Sequence, residues 1–350
     1  MTESASEEWS VLESSPVNLD FGSVSLQGQG RFHNEDRQCC FEGVPSCGGL
    51  RGFAVFDGHG GDEASQFAAS VLPFETESAW AGGDLEVMAE EVFVEIDRKF
   101  IAADRQQRSD AGACACVVFV LGRHLVAANA GDCRAISVAI DGDGFRVKEL
   151  TRDHRSGTPA GAEYIERLGG MVEAGRLFGS LEPCRGFGDL NIREEHEEHL
   201  KKMSDEWVEE LGPEKQLPTP VPEITHAVLL DSGPQEAVII ASDGVWSVLS
   251  SNVVGALVAS LLLPPKKTSQ GGGKGGGVKA KGGAKDGSGS LEQSEVSPEF
   301  RKIWDRIVAE RRRSCSSRAA LAADCVASMA QALQSDATDD DTTAVVFVAS

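Results

Sequence analysis

A run of apolar residues, Phe53 to Phe56, stops at Asp57 and gives way to Gly58, His59, Gly60 and Gly61. The run is short and reads as a buried strand. The glycines free the backbone for a tight turn. Directly beyond, Ala64, Phe67, Ala68, Val71 and Leu72 recur at helical spacing, so the strand leads through the turn into an amphipathic helix. A carboxylate, a glycine carbonyl and an imidazole are thereby presented together at a strand end. Such a set can hold a hard divalent cation through oxygen. It also serves as an ordinary Asp-Gly turn, and the other acids of the chain decide between the two.

The remaining pattern alternates runs of strands with groups of helices. Phe21 to Gly28 predicts a first strand, and residues 84–104 carry Leu85, Met88, Val92, Ile96 and Phe100 on one helical stripe. Ala113 to Leu121 and His124 to Ala130 form a hairpin at Gly122-Arg123, followed by a strand from Cys133 to Ile140. Asp141-Gly142-Asp143-Gly144 begins like a calcium loop, but Phe145 replaces an oxygen ligand, so a hairpin turn is expected. Thr158-Pro159 opens a helix that Gly169-Gly170 ends. Ala237 to Ser242 is a buried strand, and Ser250 or Ser251 caps a helix running to Leu263. Phe300, Ile303, Trp304, Ile307 and Val308 mark a helix, another covers 318–333, and Ala344 to Val348 is the last strand. This order predicts an α+β fold of largely antiparallel sheets with helices packed outside them.

Residues 1–20 read as a flexible acidic arm, and 21–350 as a single domain. A charged excursion at about 191–221 begins as an exposed helix with a solvated surface. The Gly/Lys-rich stretch at about 264–298 cannot bury a core, and it interrupts the domain as a flexible insert.

Net charge is −22, from 55 acidic against 33 basic residues, which excludes general nucleic-acid binding. The start of the chain lacks the basic and apolar regions of a secretory signal, and Thr2 stands where myristoylation requires glycine. No stretch is apolar for long enough to span a membrane. The nine cysteines form no Cys-x-x-Cys pair, which excludes thiolate zinc sites and suits a reducing cytoplasmic or nuclear compartment.

Acids recur at strand ends: Glu35-Asp36, Asp57, Asp132, Asp243 and Asp340. Carboxylates gathered at one rim repel one another unless cations neutralise them. A two-metal site with oxygen ligands is the natural solution, with magnesium or manganese favoured over zinc.

With these acids come Arg31-x-x-x-Glu35-Asp36, Phe56-Asp57-Gly58-His59-Gly60-Gly61 and Asn129-x-Gly131-Asp132-Cys133-Arg134. Leu150-x-x-Asp153-His154, Glu163 ahead of Gly169-Gly170, and Arg185-x-Phe187-Gly188-Asp189 follow. Pro222-Glu223-Ile224, Ser242-Asp243-Gly244-x-Trp246 and Asp340-Asp341-x-Thr343 complete the series. In this order, from about Val24 to Val348, the chain resembles the metal-dependent serine/threonine protein phosphatases of type 2C, the PPM family.

The resemblance implies a central antiparallel β-sandwich flanked by α-helices on both sides, a four-layer αββα arrangement with two metals in a cleft at one end. It implies that Asp57 bridges both metals and that Gly58 adds its carbonyl. Asp243 and Asp340 would complete one metal, while Glu35 and Asp36 would hold metal-bound waters. A bridging hydroxide would attack phosphorus in line, without a phospho-enzyme. Arg31 would clamp the phosphate and His59 would protonate the departing oxygen. Asp132 is either a turn former or a ligand of a third, weaker metal. Asp189 reads as a structural acid outside the site.

Three departures stand out. Ser247 replaces the family's usual aspartate, which puts the third metal in doubt; Cys184 replaces a serine; Asp341 replaces an asparagine. The adjacent Asp339 and Asp341 leave the assignment of Asp340 open by one position.

The implied activity is that of a monomeric Mg/Mn-dependent phosphatase acting on phosphoserine and phosphothreonine in phosphorylated proteins, with no nucleic acid or membrane as partner. The alternative is a pseudophosphatase that keeps the fold as a signalling module. The nucleophile motif of cysteine-based tyrosine phosphatases is missing.

Overall fold

The computed structural model describes residues 17–44, 48–80, 82–142, 144–203, 212–230, 235–263, 297–335 and 339–350. The apolar run at Phe53 lies in β3 (Leu50–His59), which is buried over most of its length. It pairs antiparallel with β2 (Arg37–Val44) on one side and β4 (Gly112–Leu121) on the other. β4 and β5 (His124–Ala130) form the expected hairpin, and β11 (Glu223–Val228) lies along the outer edge of β5. The first sheet thus runs β11-β5-β4-β3-β2, with the two-residue β10 (Phe187–Gly188) beside the start of β4, while β8 (Val172–Glu173) and β9 (Arg176–Leu177) pair with each other.

The second sheet contains β1 (Leu19–Leu26), β13 (Thr342–Ala349), β12 (Gln235–Ala241), β6 (Arg134–Asp141) and β7 (Gly144–Glu149), in that spatial order. Its pairings are all antiparallel.

Strand alternation sends neighbouring side chains to opposite faces. Phe53 and Val55 meet Val238, Ile240, Val345 and Phe347 between the sheets, where the rings of Phe53 and Phe347 stack at 4.3 Å. Ala54 and Phe56 face outward into a layer formed with α1 (Glu63–Ala79) and α2 (Leu85–Gln107). On the other side, Ile239 and Val346 pack under α6 (Ser251–Leu262), α7 (Pro298–Arg311) and α8 (Arg318–Leu333). Because both faces are covered, the central strands read as continuous apolar runs. The result is the four-layer α+β sandwich expected from the sequence.

Several details differ from the sequence reading. β1 ends at Leu26, not Gly28, because the Gly28 amide donates to Asp341 Oδ1 at 2.8 Å. Ser250 caps α6, while the Ser251 hydroxyl donates to Glu149 Oε1 at 2.6 Å. Asp141 pairs with Gly144 across the β6–β7 hairpin, a turn as expected. α3 (Pro159–Arg167) starts at the Thr158 cap. α4 (Leu190–Met203) is not simply a solvated helix, since Arg193 and His196 are buried. The arm expected at 1–20 is too long, because Leu19 and Asp20 already pair with Ala349 and Val348 in β1. The insert expected to about 298 ends earlier, since Ser297 caps α7. Residues 1–16 of the arm, 204–211 of the excursion expected at about 191–221 and 264–296 of the insert lie outside the described residues. Among the described residues no helix is long and apolar enough to cross a membrane.

Candidate active site

The acids come together because the strands that precede or follow them all end at one edge of the sandwich. Asp57 lies near the end of β3 and Asp36 just before β2, its pairing partner. Asp243 begins α5 (Asp243–Trp246), directly after β12, and Asp340 precedes β13, which pairs with β12. Asp132 occupies the turn between β5 and β6. The Asp243 amide donates to Asp57 Oδ2 at 3.4 Å, linking the two sheets at this edge.

The charges are poorly compensated. Burial, followed by the charges of Asp36, Asp243, Asp132 and Asp340, holds the Asp57 carboxyl well above the usual carboxylate range. Burial also pushes Asp36 to about 7, although the Ser242 hydroxyl donates to its Oδ2 at 2.8 Å. Asp340 rises to about 7 through burial and Asp243, and Asp132 to about 6 through burial and Asp243. An all-oxygen, mutually repelling donor set of this kind suits hard divalent cations. Among the described residues no three His, Cys, Asp or Glu side chains stand in an arrangement that could hold a metal ion as they are placed. Two arginines engage the carboxylates instead.

The first is Arg31, whose Nη2 lies 2.5 Å from Asp340 Oδ1 and whose Nη1 lies 3.5 Å from Glu35 Oε2. The three consecutive aspartates divide their work. Asp339 accepts from the Gln29 and Gly30 amides. Asp341 is buried and accepts from the Gly28 and Glu35 amides at 2.8 and 2.7 Å. Both flanking acids fasten the loop that carries Arg31, Glu35 and Asp36, and Asp340 is left facing Arg31 and the other carboxylates.

Gly58 lies where only a glycine fits. A Cβ there would stand 2.4 Å from the Glu35 carbonyl oxygen, which also accepts from the Ser65 hydroxyl at 2.5 Å. The Glu35 backbone is thereby drawn against β3, beside Asp57.

His59 is paired with Asp189, which the sequence reading left outside the site. The imidazole Nε2 lies 2.9 and 3.1 Å from the two carboxylate oxygens. A Cβ at Gly112 would fall 2.3 Å from both His59 Nε2 and Asp189 Oδ2, so the glycine makes room for the pair. Burial lowers the imidazole pKa, but the Asp189 charge and hydrogen bond outweigh it, and the net shift is upward.

The second arginine, Arg155, was not singled out from the sequence. Its Nη2 lies 3.0 Å from Asp243 Oδ2 and its Nε 3.4 Å from Asp132 Oδ2. The signal that could have found it was its place directly after the Asp153-His154 string. Cys184 is buried at the opposite end of that loop's hydrogen bonding, where its amide donates to the His154 carbonyl at 2.9 Å.

A family model described as Protein phosphatase 2C matches residues 27–269. The relative named Protein phosphatase 2C homolog 3 from Schizosaccharomyces pombe is 30% identical over 260 residues, covering 73% of this chain and 57% of its own. Probable protein phosphatase 1N from Homo sapiens is 33% identical over 251 residues, covering 70% of this chain and 53% of its own. The chain spans about half the length of these relatives. Among solved structures, a serine-threonine phosphatase 2C from Toxoplasma gondii superposes with a TM-score of 0.64 at 18% identity over 96% of both chains. The catalytic domain of the serine threonine protein phosphatase PstP, solved in complex with 2 manganese ions, gives 0.53 at 15% identity, over 95% of this chain and 98% of that one. These two structures share the fold.

Proposed function

The chain belongs to the protein phosphatase 2C family, and from that premise we propose that it is a Mg/Mn-dependent enzyme that hydrolyses phosphoserine and phosphothreonine in proteins. The observation that carries the reading is the gathering of Asp36, Asp57, Asp243 and Asp340 at one sandwich edge, with Arg31 and His59 at their border.

Asp57, Asp243, Asp340, Glu35, Asp36 and the Gly58 carbonyl would hold two cations. Two such ions, when bound, lower the pKa of water and stabilise both the attacking and the leaving oxygen of an in-line displacement. Arg31 presents a planar fork of donors suited to phosphoryl oxygens. Its present partners, Asp340 and Glu35, are the acids that cations would engage, which would release the fork toward substrate. His59, whose pKa the Asp189 carboxylate raises, would deliver its proton to the departing serine or threonine oxygen. From β1 at Leu19 onward the chain would form one catalytic domain acting as a monomer. The eight described cysteines are free, in keeping with a cytoplasmic or nuclear setting.

The test is hydrolysis of a phosphothreonine peptide by the wild type with manganese, with EDTA, and by Asp57→Asn and Asp243→Asn. Turnover that requires metal and collapses in both variants supports the enzyme. A folded, metal-supplied wild type without turnover would point to the pseudophosphatase.

A further inference from the structure

Arg155 is surrounded by carboxylates from separate parts of the chain. Its Nε lies 3.4 Å from Asp132 Oδ2 and 3.9 Å from Asp153 Oδ2. Nη2 lies 3.0 Å from Asp243 Oδ2, and Nη1 2.7 Å from Glu182 Oε1. The Asp132 side chain is only 7% exposed and the arginine 28%, so this charge is set into the site and does not lie across its mouth.

The two acids nearest the metal-facing edge have little left to offer another cation. The Oδ2 of each is turned to the guanidinium, and Asp132 Oδ1 is 3.1 Å from the Cys114 sulfur. One helical turn beyond Asp243, where a third carboxylate could complete a ligand set, stands the exposed and uncharged Ser247. Burial and the Asp243 charge raise Asp132, burial and the Glu182 charge raise Asp243, and Arg155 is the largest influence opposing the rise at both.

We propose that Arg155 is the resident cation on this side of the site: its guanidinium takes the ground between Asp132 and Asp243 that a third divalent ion would need. The chain then binds two divalent cations, and Asp132 is a partner of Arg155, not a metal ligand. A covalently attached charge does not dissociate when free metal is scarce. It also ties Asp243 to Glu182, and through Glu182 to Arg176 at 3.1 Å, so the segment beyond α3 is fastened to the acidic edge. This inference rests on the two-metal reading above.

The experiment counts bound manganese in the metal-free full chain by titration, with the free ion followed by electron paramagnetic resonance and no substrate present. The wild type should bind two ions, and Asp132→Asn should leave that count at two. Arg155→Met, which keeps the stem and removes the charge, should raise the count to three. Adding Asp132→Asn to it should return the count to two. Three ions in the wild type, a lower count in Asp132→Asn alone, or an unchanged count in Arg155→Met overturns the proposal. If Arg155→Met fails to fold, the wild-type and Asp132→Asn counts decide. Fewer than two ions in the wild type overturns the two-metal reading itself, and the proposal with it.

Discussion

His59 Nε2 meets both carboxylate oxygens of Asp189, at 2.9 and 3.1 Å, across the space that Gly112 leaves open. The two residues are far apart in sequence: His59 ends β3, and Asp189 directly follows β10. Asp189 has a φ of 54°, the left-handed region in which aspartate is better tolerated than most residues. The pairing raises the pKa of a histidine at a strand end, as the proton donor proposed above requires.

The Asp189 carboxylate raises the His59 pKa, so Asp189→Asn should lower it. The alkaline limb of the kcat profile should therefore move to lower pH. His59→Gln should reduce kcat on phosphoserine and phosphothreonine peptides by roughly 10²–10⁴-fold, the usual contribution of a general acid. It should cost far less on p-nitrophenyl phosphate, whose leaving group needs no proton. An unmoved alkaline limb in Asp189→Asn would show that the carboxylate does not tune the imidazole.

Arg193 and Asp97 form a buried, two-pronged pair at 2.7 and 2.8 Å between α4 and α2, and Asp97 also accepts from the Gly188 amide at 2.9 Å. Arg193→Met leaves Asp97 buried without its counter-charge. It should destabilise the protein by about 3–5 kcal/mol, as breaking a buried pair does. Asp97→Leu combined with Arg193→Met should recover part of that loss, as chemical denaturation would measure. Because Asp97 also holds β10, the single variant should lower turnover through Asp189 as well.

The layers were legible because their cause is local. Burial of both faces writes continuous apolar runs into the central strands, and one-sided burial writes the Leu85–Phe100 stripe into α2. Asp57 and Asp243 were legible for a related reason, since each stands where an apolar strand breaks into glycine. Pairings between distant residues left no such pattern. Glu194, Glu195, Glu197 and Glu198 made 191–212 look uniformly solvated, and nothing in that spacing marked Arg193 as the one side chain that turns inward to Asp97. Asp339, Asp340 and Asp341 are identical in chemistry, and only their amide partners separate the two that hold a loop from the one that faces the site. Arg155 lacked any flanking periodicity, and its one mark in the sequence, the Asp153-His154 string before it, said nothing of Asp132, Asp243 and Glu182 around it.

The acidic edge should couple stability to pH and metal. Asp36 and Asp340 are raised to about 7 and Asp132 to about 6, against roughly 4 for an unfolded carboxyl. Between those limits the folded state retains protons that the unfolded state has released. The stabilising effect is complete at low pH and is lost as pH rises through 6 to 7. The metal-free Tm should accordingly fall from about pH 5 to about pH 8. Manganese should raise Tm most at the alkaline end, where the carboxylates are free to bind it. Asp36→Asn should flatten the metal-free slope. Calorimetry in EDTA and in manganese across this range gives the comparison, and a metal-free Tm that climbs with pH would refute it.

Asp341 should matter more than Asp339, although both bond to the same loop. Asp341 is buried and its two oxygens accept from Gly28 and Glu35, amides at either end of the segment that carries Arg31. Asp339 is partly exposed, and water can replace it at Gln29 and Gly30. Asp341→Ala should therefore cost roughly 2–4 kcal/mol, from charge-assisted bonds lost and amides left unpaired. Asp339→Ala should cost about 1 kcal/mol or less, because its amides remain solvated. Asp341→Ala should also weaken manganese binding, since Glu35 and Asp36 lose the anchor that aims them at Asp57. Urea unfolding and manganese titration of the two variants side by side make the test. Equal losses in both would mean that the loop is held by something other than the buried carboxylate.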